Sequence, residues 1–213
     1  GMVRPANGLV VENGEIVSAG EPRSTLALMQ SVEYLRSFQW ARLGLARLSS
    51  MLCISGAFMV LRKDAFVALN GVDPDTITDD IEFTVRLHRW VYEQPAATRP
   101  RIAYVPDAVC YTEVPETHRV YAAQRNRWQR GTLQALLRNW TMTFNPRYGL
   151  AGMFGMPFFM FFEAGAALVE GLSYVLIPFA VALGLATWTQ LLVFFALAIL
   201  LGSLLSVAAI LLQ

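Results

Sequence analysis

The chain has 213 residues, 55% of them hydrophobic, with a mean hydropathy of +0.42 and a formal net charge of +1. That is too apolar for an ordinary soluble domain, and the excess is confined. All 17 Lys+Arg precede Leu150, and of the 16 acids only Glu163 and Glu170 follow it, so a normally charged globular stretch is expected to lead into a membrane region.

In chain order, residues 1–20 predict two short strands around a turn, MVRPANG and then LVVENGEIVSAG. Asn13-Gly14 between β-branched runs is a hairpin signal. The opening GMVRPANG shows neither the charged n-region nor the apolar h-region of a secretory leader, so none is expected. From Thr25 to about Leu48, Leu28, Val32, Leu35, Phe38 and Leu43 recur at helical spacing. MLCISGAFMVLRKDAF follows as a buried apolar run kinked at Ser55-Gly56-Ala57, where small residues let backbone or a ligand approach. Asp64 to Leu69 predicts a short helix closed by Asn70-Gly71.

VDPDTITDD is a polar loop, and IEFTVRLHRWVYE predicts a helix with Ile81, Val85 and Leu87 facing inward. Pro95 and Pro100 bracket a loop, RIAYVPDAVCYTEV alternates as a strand broken at Pro106, and Glu116 to Asn139 predicts a longer helix. Cys53 and Cys110 lack metal-ligand spacing and are expected to be buried, reduced thiols. His88 and His118 form no ligand cluster and are expected to have structural or surface roles.

Leu150 to Ala186 is too long for one straight span. An interfacial or re-entrant piece to about Glu163 and then a span to about Ala186 is expected, with a tight helical hairpin as the alternative. A second span runs from about Trp188, an interfacial anchor, to Leu212. Between Arg119 and Arg147 there are six arginines and no acid. Such a run can bind nucleic acid, but it abuts the apolar tail. The excess of positive charge on the cytoplasmic side of membrane proteins accounts for it better, and no nucleic-acid partner is expected. Only Lys63 is lysine. Arginine suits bidentate phosphate contacts, although genome composition alone can produce the bias and is the favoured account.

Two stretches can carry chemistry. In TDDIEF, Asp80 can take a proton from a hydroxyl nucleophile. Asp79 as N-cap with Glu82 three residues on would make a capping box, leaving Asp80 free. In QRNRW, helical spacing puts Gln124, Arg127 and Trp128 on one face, an amide, a guanidinium fork and an indole plate able to hold a diphosphate and a sugar. Arg125 and Arg130 then point elsewhere, towards headgroups or solvent. The competing account is an amphipathic interfacial helix with snorkelling arginines.

The order SGAF, TDD, QRNRW and then apolar spans resembles the processive family 2 glycosyltransferases, the cellulose, chitin, hyaluronan and poly-N-acetylglucosamine synthases. The resemblance implies an α/β fold: the C-terminal part of a GT-A type domain over 1–115, amphipathic or interfacial helices over 116–149, and a membrane region of about two spans over 150–213. It implies that Asp80, on the final carboxylate of a TED-like motif, is the catalytic base, with Asp79 in place of the usual glutamate as a substrate-binding neighbour. It further implies that Gln124, Arg127 and Trp128 hold nucleotide diphosphate and acceptor, and that Ser55, Gly56 and Ala57 lie beside the acceptor.

The implied reaction is inverting transfer from a nucleotide sugar, a UDP-sugar, to a growing glycan at the bilayer, in a multi-pass inner or plasma membrane protein with its catalytic part in the cytoplasm. Mg or Mn is the implied cofactor. Its ligands, with the metal-binding D-x-D, are expected in an N-terminal half upstream of Gly1, so the chain alone is expected to be an inactive C-terminal portion. Asp73-Pro74-Asp75 spells D-x-D but sits just before TDD, where proline suits a turn, and is assigned no metal. Two alternatives stand beside this: a non-processive family 2 transferase acting on a lipid carrier, and a non-catalytic membrane subunit or remnant. Glu163 and Glu170, seven residues apart on one face, either line a sugar path or face headgroups.

Overall fold

A computed structural model describes residues 1–13, 15–20 and 22–211. Gly14 of the predicted turn, the Phe38 side chain and Leu212 at the predicted end of the second span lie outside what it describes. The chain forms two compact units, Gly1–Met160 and Phe161–Gln213.

Three strands open the first unit: β1 (Met2–Pro5), β2 (Leu9–Glu12) and β3 (Glu15–Ala19). The hairpin is β2 with β3, antiparallel, Leu9 opposite Ala19, and Asn13 takes the left-handed backbone (φ 53°) that asparagine tolerates. The MVRP strand is not its partner. β1 pairs in parallel with β4 (Val109–Thr112), from Met2 opposite Val109 to Pro5 opposite Thr112. A parallel pair needs a long crossover, and more than 100 residues of chain supply it. RIAYV, expected as strand, is irregular; only VCYT pairs.

Helix α1 (Thr25–Tyr34) runs through a π-helical segment, Leu35–Ala41, into α2 (Arg42–Arg47). The predicted inward face is rotated: Leu28 is 43% exposed, while Ala27, Gln30 and Tyr34 are buried. The cause is polar. Gln30 Nε2 donates to the carbonyl oxygen of Pro115 (2.8 Å), and Tyr34 and Ala27 pack with Val3 and Val114. The wider turn of the π segment then carries Leu45, not Leu43, into the core.

The short helix α3 (Lys63–Ala68) ends at Asn70 and Gly71, both with positive φ, as the sequence predicts. Helix α4 (Asp79–Glu93) is buried beyond its apolar stripe, since Glu82, Thr84 and His88 are inside with Ile81, Phe83, Val85, Leu87 and Val91. Each polar group has a partner: Arg86 Nε donates to Glu82, Thr84 Oγ1 to the Asp80 carbonyl oxygen (2.6 Å) and His88 Nε2 to that of Met51 (2.9 Å). Helix α5 (His118–Arg138) matches the predicted 116–139 within two residues and packs on α4.

The apolar region departs from expectation. Helical structure is continuous from Ala151: a π segment to Gly155, α6 (Met156–Phe158), a second π segment Phe159–Ala164, then α7 (Gly165–Ala182). There is neither a break near Glu163 nor a hairpin inside 150–186; widened turns keep the helix going. The turn comes at 183–187, with Gly184 at φ 71°, before α8 (Trp188–Leu211). The runs Ala151–Ala182, 32 residues, and Trp188–Leu211, 24 residues, are long and apolar enough to cross a bilayer. The first ten residues of this region nevertheless belong to the first unit. Ser50 Oγ donates to the Leu150 carbonyl oxygen (3.1 Å), and a Cβ on Gly155 would come within 2.9 Å of the Ser50 carbonyl oxygen.

Candidate active site at the start of helix α4

The N-cap of α4 is Thr78, in extended backbone (φ −135°, ψ 114°), so Asp79 is already the first helical residue. The expected capping box does not form. Glu82 is taken by Arg86 on the following turn, and no side chain caps the helix. Asp79, Asp80 and Glu82 instead place three carboxylates in the first turn, where exposed N–H groups favour negative charge.

Asp79 is exposed and Asp80 half-buried. Asp80 Oδ1 accepts from its neighbour's amide, Ile81 N (2.8 Å), and Oδ2 accepts a long bond from Gly56 N (3.4 Å). Ser55-Gly56-Ala57 forms a turn, Phe58 N donating to the Ser55 carbonyl oxygen (3.1 Å). A Cβ on Gly56 would sit 3.5 Å from Asp80 Cβ, so the turn lies against the carboxylate with no side chain between. Two motifs 24 residues apart in sequence thus share one surface.

On α5, Arg127 is exposed and makes no hydrogen bond or ion pair among the described residues, and the half-buried Gln124 amide makes none either, with Oε1 buried. Trp128 is half-buried against Val3, Ala27, Tyr34 and Val114, the cluster that Phe58 also packs on. Phe58 follows the small-residue turn directly, so one hydrophobic cluster supports both that turn and the tryptophan.

Arg125 corrects the sequence reading. It does not point to headgroups or solvent. Its two terminal nitrogens bind the carboxylate of Glu33 on α1 (2.5 and 2.7 Å), and its guanidinium lies over the rings of Tyr121 (4.7 Å) and Trp128 (4.6 Å). The spacing explains this, because 121, 125 and 128 are helical neighbours and a planar cation fits between two aromatic plates. Arg130 is exposed, as expected. Glu33 was not visible in the sequence as part of the site: nothing local to α1 marks it, and only the packing of α1 on α5 finds it.

The residues present do not assemble a site for Mg or Mn. Among the described residues no group of three or more His, Cys, Asp and Glu is placed to hold a metal ion. Asp73 of the D-P-D turn is occupied, Oδ1 by Asp75 N (2.9 Å) and Oδ2 by Arg138 (2.8 Å). Cys53 and Cys110 form no disulfide and are half-buried rather than buried. His88 is a core residue whose pKa is lowered by burial, with the Met51 carbonyl opposing in part. Glu163 and Glu170 are exposed in the second unit, and Tyr174 Oη donates to Glu170 (2.8 Å).

Comparison with known proteins points the same way. The family described as glycosyl transferase family group 2 matches residues 17–210. Poly-beta-1,6-N-acetyl-D-glucosamine synthase of Staphylococcus epidermidis is 33% identical over 129 residues, covering 58% of this chain and 29% of the relative. The protein of that name from Staphylococcus aureus strain COL is 33% identical over the same shares. The chain thus spans less than a third of the length of these curated relatives. No solved structure matches.

Proposed function

Because the chain belongs to glycosyl transferase family group 2, we propose that it carries the acceptor side of a membrane-bound, inverting transferase that extends a polysaccharide from a nucleotide sugar. The relatives are named for poly-N-acetylglucosamine synthesis, which makes UDP-N-acetylglucosamine the first donor to try. The observation that carries the reading is the convergence at α4. The Asp80 carboxylate faces the backbone of the small-residue turn, and the Phe58 beside that turn shares a cluster with Trp128.

In the proposed reaction, Asp80 takes the proton from an acceptor hydroxyl as its oxygen bonds to the anomeric carbon. The bond from that carbon to the diphosphate oxygen breaks on the opposite face, so the configuration inverts, by the same base logic as inverting glycoside hydrolysis. The departing diphosphate carries negative charge, and the Arg127 guanidinium and the Gln124 amide, both without partners among the described residues, are available to receive it. Trp128 offers an indole to the acceptor sugar, with Asp79 and Ser55, Gly56 and Ala57 lining the approach. Mg or Mn would be held by residues outside this sequence.

Leu137, Trp140 and Phe144, exposed near Arg130 and Arg147, support an interfacial location for 116–149. With the two apolar runs and the arginine bias, this supports a plasma-membrane protein whose catalytic part is cytoplasmic.

The test is polymer formation by membranes containing the full-length protein, supplied with UDP-N-acetylglucosamine. Asp80→Asn should lower the rate about 100-fold or more, the scale of a lost general base. Polymer synthesis at the unsubstituted rate in Asp80→Asn would remove Asp80 as the base.

A further inference from the structure

Helix α5 does more than carry the QRNRW side chains. Continuing the stripe of Gln124, Arg127 and Trp128 at helical spacing reaches Gly131, Gln134 and Arg138. These three grip the loop that leads into TDD. Gln134 Oε1 accepts from Ile77 N (2.9 Å), and its Nε2 donates to the Asp75 carbonyl oxygen (3.1 Å). Arg138 donates to the Asp73 carboxylate (2.8 Å) and again to the Asp75 carbonyl oxygen (3.1 Å). Gly131 lets Thr78, the N-cap of α4, lie against the α5 backbone where any Cβ would collide with the threonine side chain.

From these contacts we propose that Gln134 and Arg138 are positioning residues for the transfer reaction: they fasten the Asp73–Thr78 loop, and with it Asp80, to the helix that presents Gln124, Arg127 and Trp128 to the substrate. Asp80 lies two residues beyond a residue pinned by Gly131 and three beyond an amide held by Gln134. Among the described residues, its carboxylate otherwise has only its own neighbour's amide and one long bond to fix it. A base must sit within hydrogen-bond reach of the proton it removes, and a misplacement of about 1 Å costs about 100-fold in rate. The strap makes base and acceptor face one rigid body. It also gives Asp73-Pro74-Asp75 its use: one carboxylate and one carbonyl are anchors for Arg138 and Gln134.

The proposal rests on Asp80 being the base, and the experiment separates the two. In the full-length protein in membranes, initial rates are measured for Gln134→Ala, Gln134→Glu, Arg138→Ala and Asp80→Asn over a range of UDP-sugar concentrations. Amide hydrogen exchange is followed at Ile77 and Ile81. Gln134→Ala and Arg138→Ala should each lower kcat tenfold or more with donor KM changed less than twofold, and Ile77 should exchange faster in Gln134→Ala. Gln134→Glu keeps the oxygen that accepts from Ile77 but loses the donor to Asp75, and should recover part of the kcat that Gln134→Ala loses.

If Asp80→Asn is inactive while both alanine variants keep kcat within twofold, the base stands and the strap is overturned. The strap is equally overturned if the loss of rate disappears once rates are divided by the amount of folded protein, since that is generic stability. If Asp80→Asn stays active, the base reading fails and the strap's role in positioning it fails with it.

Discussion

Among single residues, His88 shows how a functional-looking group is spent on structure. Its Nε2 donates to the Met51 carbonyl oxygen inside the core, and burial depresses its pKa below the usual value of about 6.5. The unfolded chain therefore binds a proton that the folded chain refuses. Stability is complete above about pH 6.5 and is lost as pH falls through the folded pKa. The melting temperature of the detergent-solubilised protein should drop from pH 7 to pH 5, and His88→Gln, which keeps a donor for Met51, should flatten that slope. A slope identical in the variant would assign the loss to other groups. Arg125 makes the complementary point: an arginine assigned to headgroups or solvent by default is held by Glu33 and two rings, and so covers part of the Trp128 surface.

For the elements, the close crossing of α4 and α5 depends on Gly131. Replacing glycine by alanine in a helix normally gains up to about 1 kcal/mol. Here the added methyl would meet Thr78 at its Cβ (2.7 Å) as well as further out, and overpacking of that kind costs about 1–3 kcal/mol. The clash wins, so Gly131→Ala should lower the melting temperature and, by shifting the start of α4, slow the proposed transfer. Thr78→Gly in the same chain should restore much of both, because glycine is tolerated at an N-cap. No restoration would mean the crossing is set elsewhere.

The helices at 118–138 and 79–93, each to within about two residues, and the Asn70-Gly71 stop were readable from periodicity and turn residues, which are local signals, although the capping expected at Asp79 was not. The inward face of α1 was not. It is fixed by a Gln30 bond to a carbonyl 85 residues away, and by a π segment that no apolar spacing announces.

On the scale of the molecule, the apolar second unit carries two acids, Glu163 and Glu170. Glu170 lies in a segment where carboxylates are costly, and it keeps Tyr174 as a hydrogen-bond partner four residues on. We expect Glu170→Leu to reduce the polymer released across membranes while leaving UDP-sugar hydrolysis intact, measured on the same vesicles. Undiminished release would place Glu170 at headgroups instead.

What the sequence determined alone was whatever depends on neighbours along the chain: the charge boundary at Leu150, the apolar runs, the helices, the shared face of Gln124, Arg127 and Trp128, and the order of motifs that marks the family. Only the tertiary structure decided what depends on long-range contact. It put β1 beside β4, Gly56 against Asp80, Glu33 on Arg125, and Gln134 and Arg138 on the loop before TDD. It also showed that 151–160 belongs to the first unit, with Ala151, Met156 and Phe159 buried. The reason is physical: periodicity reports which side of an element is apolar, whereas the partner it meets is chosen by unmet hydrogen bonds and available space, and these exist only once distant segments are folded together.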